Sequence, residues 1–136
     1  MSTGHRFAQD QMRSEANGDH VAAVTAEAAG SLTSASQIPA SARFVTVSSS
    51  NANYIVTLPN PIQGHEIWIQ TDASTACELR TPAASGNTIN NVDSDGTNEA
   101  ALVATNTYHC IATSTTGWLV VSFTNLAADV GALIPD

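Results

Sequence analysis

The stretch Tyr54-Ile-Val-Thr-Leu-Pro59-Asn-Pro61-Ile-Gln-Gly64-His-Glu-Ile67-Trp-Ile69 decides the fold class. Tyr54, Val56 and Leu58 share one face of an extended segment and Ile55 and Thr57 share the other, the two-residue period of a β-strand. Pro59-Asn60-Pro61 cannot continue a hydrogen-bonded ladder, because proline has no N–H to donate. After Gly64 the alternation returns, with Ile67 and Ile69 set against Trp68. Two short strands separated by a proline stop and a glycine belong to a β domain.

The same pattern extends in both directions. Arg43 to Val47 precedes it as a strand, with Asn51 to Asn53 in the intervening turn, and Thr75 to Arg80 follows, Cys77 and Leu79 facing together until Thr81-Pro82. Further strands are predicted over Thr88 to Val92, Glu99 to Ala104, Thr107 to Thr113 and Trp118 to Thr124, the last being the most β-biased run in the chain. About eight short strands at this spacing of turn signals predict a mainly β fold, a compact antiparallel β-sandwich or barrel-like domain. In the last strand Leu119, Val121 and Phe123 form the more apolar face. Trp118 is nevertheless expected in the core, because an indole directly after Gly117 can cover the open end of a thin domain.

Residues 1–40 follow no such period. Met1 to Gly18 reads as an extended N-terminal arm, Asp19 to Ala29 as a possible short helix capped by Asp19 and stopped by Gly30, and Leu32 to Ala40 as a Ser/Ala linker. The expected division is therefore an arm over 1–40 and a β domain over 41–136, whose last segment, Asn125 to Asp136, is apolar without a pattern.

Composition limits what such a domain can do. The chain has 136 residues with 12 acidic side chains, four arginines, no lysine and a net charge of -8, which argues against wrapping nucleic acid or sitting on an anionic membrane. Neither a secretory leader nor an apolar run long enough to span a membrane is read in it. Leu, Ile, Val and Phe total only 28 residues, so the core is thin and burial against a partner is expected. Thirty Ser and Thr with ten Asn give a polar but weakly charged surface.

Few constellations carry chemistry. Asp93, Asp95, Asn98 and Glu99 are dense in oxygen ligands, but Gly96 and Glu99 sit too early for a calcium loop of the EF-hand kind. An Asx turn with Gly96 in a left-handed conformation is the simpler reading. His5, His20, His65 and His109 have no zinc-site spacing, and His109 and Cys110 should face opposite ways. Glu66, Asp72 and Glu78 could be drawn as a carboxylate pair, yet no spacing selects them. Cys77 and Cys110 permit one bridge or two buried thiols. Trp68, Trp118, Tyr54 and Tyr108 are expected mainly to pack. No catalytic, cofactor-binding or metal-binding residue is assigned, and no cofactor is expected.

Taken in order, Tyr54-Ile-Val-Thr-Leu-Pro-Asn-Pro, Gly64-His-Glu-Ile-Trp-Ile, Cys77-Glu-Leu-Arg-Thr-Pro, Gly86-Asn-Thr-Ile-Asn-Asn-Val-Asp-Ser-Asp-Gly-Thr-Asn-Glu, Thr107-Tyr-His-Cys and Gly117-Trp-Leu-Val-Val form a set. Over roughly residues 42–124 this set resembles a small trimeric β domain of bacteriophage structural proteins, both head decoration (cement) proteins and fibre modules. The resemblance implies a homotrimer with no enzymatic activity. It further implies a virion protein that is made in the host cytoplasm and binds the major capsid (coat) protein on the outer surface of the head, the arm over 1–40 lying on neighbouring coat subunits. A trimeric glycan- or receptor-binding fibre tip is the alternative.

Overall fold

A computed structural model describes residues 20–72, 75–96 and 98–124. Ten strands make two sheets: β1 (Val21–Thr25), β2 (Phe44–Ser48), β3 (Ile55–Thr57), β4 (Glu66–Thr71), β5 (Cys77–Arg80), β6 (Thr88–Ile89), β7 (Val92–Asp93), β8 (Ala100–Leu102), β9 (Thr107–Ala112) and β10 (Gly117–Phe123). The large sheet has the order β1-β2-β4-β9-β10-β6-β7 and the small one β3-β5-β8. They pack as a sandwich-like domain around one core, to which the large sheet contributes Val45, Val47, Ile67, Ile69, Cys110 and Trp118 and the small sheet Val56, Cys77, Leu79 and Leu102. The mainly β, sandwich-like expectation therefore holds.

Strand direction departs from a purely antiparallel arrangement. The pairs β1–β2, β2–β4, β3–β5 and β6–β10 are parallel, whereas β4–β9, β9–β10, β5–β8 and β6–β7 are antiparallel. From β2 to β5 the chain steps alternately into the large and the small sheet. Neighbours within one sheet are therefore two elements apart in sequence and run the same way, each supplying the crossover of the other.

The segment 19–29 was expected as a possible helix, and the structure has a strand within it, Val21–Thr25. Val21–Thr25 pairs in parallel with Phe44–Ser48 along its whole length, and Val24 is buried. Alanine-rich sequence accepts either conformation, and the ladder with β2 together with the burial of Val24 outweighs helix propensity. The boundary at 40/41 dissolves for the same reason. Glu27 bridges Ile55, Gln37 bridges Thr57, and Ile38 is in the core, so residues 20–40 are built into the β domain. The carboxylate of Glu27 accepts from the Thr33 backbone N–H at 2.6 Å and the Thr33 hydroxyl at 2.8 Å, and these bonds, the backbone one foremost, hold its pKa below the usual value. Residues 1–19 lie outside the described residues.

The element expected over Thr88 to Val92 is two strands around a tight turn. Asn90 and Asn91 adopt φ of 51° and 67°, the left-handed pair that a two-residue hairpin requires and that Asn tolerates. The Asn90 side chain completes the neighbouring ladder: its Oδ1 accepts from Val120 N at 2.9 Å and its Nδ2 donates to Val120 O at 3.1 Å.

Candidate functional site

Strand β10 decides which face of the large sheet is left outside. Trp118 points inward and is 1% exposed, its Nε1 donating to the Pro59 carbonyl at 3.2 Å and its ring 5.7 Å from that of His65. The expected core position of Trp118 is met. Alternation then forces Leu119, Val121 and Phe123, the more apolar face, outward at 42%, 40% and 40% exposure.

The strand registers connect these residues to a longer feature. Val21 pairs with Phe44, Phe44 with Trp68, Trp68 with His109 and His109 with Val121, so one row of outward side chains crosses five adjacent strands. Val21 and Phe44 are 60% and 56% exposed. Trp68 lies flat on the imidazole of His109, centroids 4.0 Å apart and planes 4° from parallel, with the Phe123 ring 6.1 Å away. On one side the row is bordered by Glu66, Ile111 and Leu119, on the other by Thr46, Gln70 and Thr107. A groove of about 200 Å³ runs between Val21, Phe44, Trp68 and Thr107.

Aromatic side chains carry roughly 150–250 Å² each, so the exposed parts of the row and of Leu119 and Phe123 sum to an apolar area on the order of 500 Å². Monomeric proteins rarely expose a larger patch than that, and such patches mark interaction sites. The charge here is sparse. Glu66 Oε1 and His109 Nε2 approach to 3.3 Å, within ion-pair range but without hydrogen-bond geometry, so Nε2 has no hydrogen-bond partner.

The other candidates are dispersed. Glu66 starts β4, Asp72 follows its end and Glu78 lies on the small sheet, so the three carboxylates are not gathered. Asp93 Oδ1 accepts from Asp95 N at 3.2 Å, the expected Asx turn, but left-handed φ falls at Gly86, Asn90 and Asn91 and not at Gly96. Asp95 is instead turned to Gly86, accepting its N–H at 2.8 Å. Among the described residues no group of three His, Cys, Asp or Glu side chains converges on a common point. His20 Nδ1 is 2.8 Å from the Ser41 carbonyl oxygen and His65 Nε2 is 3.1 Å from that of Ala42, while His5 lies outside the described residues.

Tyr54 packs against the core, and the buried Tyr108 accepts from Val103 N through its hydroxyl at 2.6 Å. Cys77 and Cys110 are separate free thiols facing the core from opposite sheets, and His109 and Cys110 point to opposite sides as alternation requires. Burial pushes Cys77 up to about 11, with a smaller contribution from Glu78, and Cys110 up to about 12.

Sequence reading took Val21, with Val24, as the apolar stripe of the possible short helix and passed over Phe44. The apolar face of β10 was the available signal, but extending it required strand registers that only the fold supplies. No family model matches the chain, and neither a curated protein nor a solved structure is significantly similar to it.

Proposed function

We propose that this chain is a virion decoration protein, a homotrimer that binds coat-protein junctions on the outer surface of a phage head and stabilises the shell. The reading rests on the outward row Val21–Phe44–Trp68–His109–Val121. A chain of net charge -8 repels its own copies except where its surface is uncharged, and this sheet face carries six of the exposed large hydrophobic residues, Val21, Phe44, Trp68, Leu119, Val121 and Phe123. Three copies turning the row toward a common axis bury what the thin core leaves outside. Residues 1–19, outside the described residues, are the part of the expected arm proposed to reach neighbouring coat subunits. Its three copies act together, so weak individual contacts hold firmly. The mechanism is bridging, with no reaction catalysed.

The flat Trp68–His109 stack supports a second reading, a trimeric fibre tip that stacks a sugar ring of a host glycan on the exposed indole. Titration of purified coat shells separates the two: decoration saturates at a fixed ratio to coat protein, whereas a tip leaves shells bare and binds cells or polysaccharide.

A further inference from the structure

On the small-sheet side of the domain an open groove of about 800 Å³ runs past Leu32, Pro39, Ile62 and Pro82, with Gln37 and Asn60 at its polar points and Arg80 in its wall. Arg80 ends β5 in register with Thr57, on the side of the small sheet opposite Val56 and Leu79. The residue is 9% exposed, and its Nε is buried with no hydrogen-bond partner. Among the described residues no carboxylate pairs with it, although the chain holds twelve acidic residues to four arginines. Glu78, two positions earlier on the same strand, and Glu99, beside the Ala100 that pairs with Leu79, both leave it unpaired.

A buried guanidinium N–H without an acceptor is costly, and a protein retains one where something else completes the group. We infer that the Arg80 groove is a docking site for an extended peptide segment of a partner protein that presents one carboxylate between apolar side chains. The chemistry selects this occupant. A single guanidinium offers a planar fork to one carboxylate, while the strong negative charge of the chain disfavours a nucleic acid or a multiply charged phosphate. The exposed Ile62 and the proline-lined walls receive the flanking apolar residues. Asn60 Oδ1 is engaged by Asn87 Nδ2 at 3.0 Å, which leaves the Asn60 Nδ2 to donate to a peptide carbonyl. This inference goes beyond the assembly reading and stands whether or not the chain decorates a shell.

The test is side-chain NMR of the whole protein, following the Arg80 Nε–H signal, assigned with Arg80→Lys, during titration with acetyl-Ala-Leu-Glu-Leu-Ala-amide. A saturable shift of that signal is expected. The isosteric glutamine peptide should bind about tenfold or more weakly, as loss of a charge-assisted bidentate contact dictates. Ile62→Ala, a surface change that spares the fold, should weaken the glutamate peptide. Arg80→Met should abolish binding while melting at or above the wild-type temperature, since an apolar stem replaces an uncompensated charge. Equal affinity for the two peptides, no shift at millimolar peptide, displacement by equimolar inorganic phosphate, or a clear fall in melting temperature in Arg80→Met each overturns the proposal. So does peptide binding that appears only after residues 125–136 are removed, because the occupant would then be the chain's own tail.

Discussion

Truncating Trp118 to alanine tests the architecture at the point where both sheets depend on one side chain. The indole is 1% exposed, lies beside Ile89 and Ala112 in the strand register and holds the Pro59 carbonyl through Nε1, so it ties β10 to the stop after β3. Burying about 200 Å² of aromatic surface at about 25 cal/mol per Å² is worth roughly 5 kcal/mol, in line with about 3–5 kcal/mol measured for buried Phe or Trp changed to Ala. Leaving the Pro59 carbonyl unsatisfied adds about 1 kcal/mol. A domain of this size has about 5–15 kcal/mol in total, so Trp118→Ala should be barely folded at 25 °C.

Trp118→Phe, which keeps a ring and loses the donor, should cost clearly less. Urea denaturation followed by circular dichroism, at one fixed protein concentration because self-association would make the midpoint depend on concentration, should show a midpoint lowered by about 2–3 M for Trp118→Ala given a slope near 2 kcal/mol per M. Trp68→Ala, on the exposed face, is the internal comparison and should lose about 1 kcal/mol. A Trp118→Ala midpoint within experimental scatter of wild type refutes the reasoning.

Deleting residues 1–19 should leave the far-UV β spectrum unchanged and weaken binding to coat shells, whereas deleting residues 1–30 removes β1 and should lower the melting temperature by several degrees; equal stability of the two truncations, measured by thermal melts, contradicts the place given to β1. Cys77 and Cys110 should resist a thiol-specific chromogenic reagent at pH 8 until the protein is unfolded, which absorbance after mixing measures directly. Because both thiols keep their protons in the folded state beyond the ordinary value of 9.0, the stability tied to them is complete below pH 9 and is lost as pH rises through about 11 and 12; denaturation midpoints that hold constant from pH 9 to 11 contradict this. Calcium should move the melting temperature by less than about 3 °C between excess chelator and millimolar ion, since Asp93 and Asp95 are spent on backbone N–H groups, and a large saturable rise would show the carboxylates gathered for metal.

Strands that alternate buried and exposed residues were legible in the sequence because the side-chain period itself marks them: β2, β4 and β9 fall within or close to their expected bounds. Strand β1 was not, because Val21-Ala-Ala-Val-Thr25 carries no two-residue contrast and becomes a strand only by pairing with a segment nineteen or more residues away. The break at Asn90-Asn91 was hidden by the apolar residues on either side of it, although two consecutive asparagines are a turn signal. Parallel pairing could not be read from local pattern, since it follows from the route of the chain between sheets. The candidate site was half legible: the apolar outer face of β10 stood in the sequence, but its continuation through His109, Trp68, Phe44 and Val21 is a property of register. Arg80 gave no signal, because an arginine at a strand end is ordinarily solvated and only the fold buries it.

The central claim is that the outward row of the large sheet is an interface between copies of this chain. Multi-angle light scattering of the purified protein across the micromolar range tests it most directly. The expected result is a mass of three times 14.1 kDa that does not change with concentration, and dissociation to 14.1 kDa when Phe44, which is exposed and outside the core, is changed to Asp. A wild-type protein that stays at 14.1 kDa throughout, or a Phe44→Asp protein that remains a trimer, contradicts it.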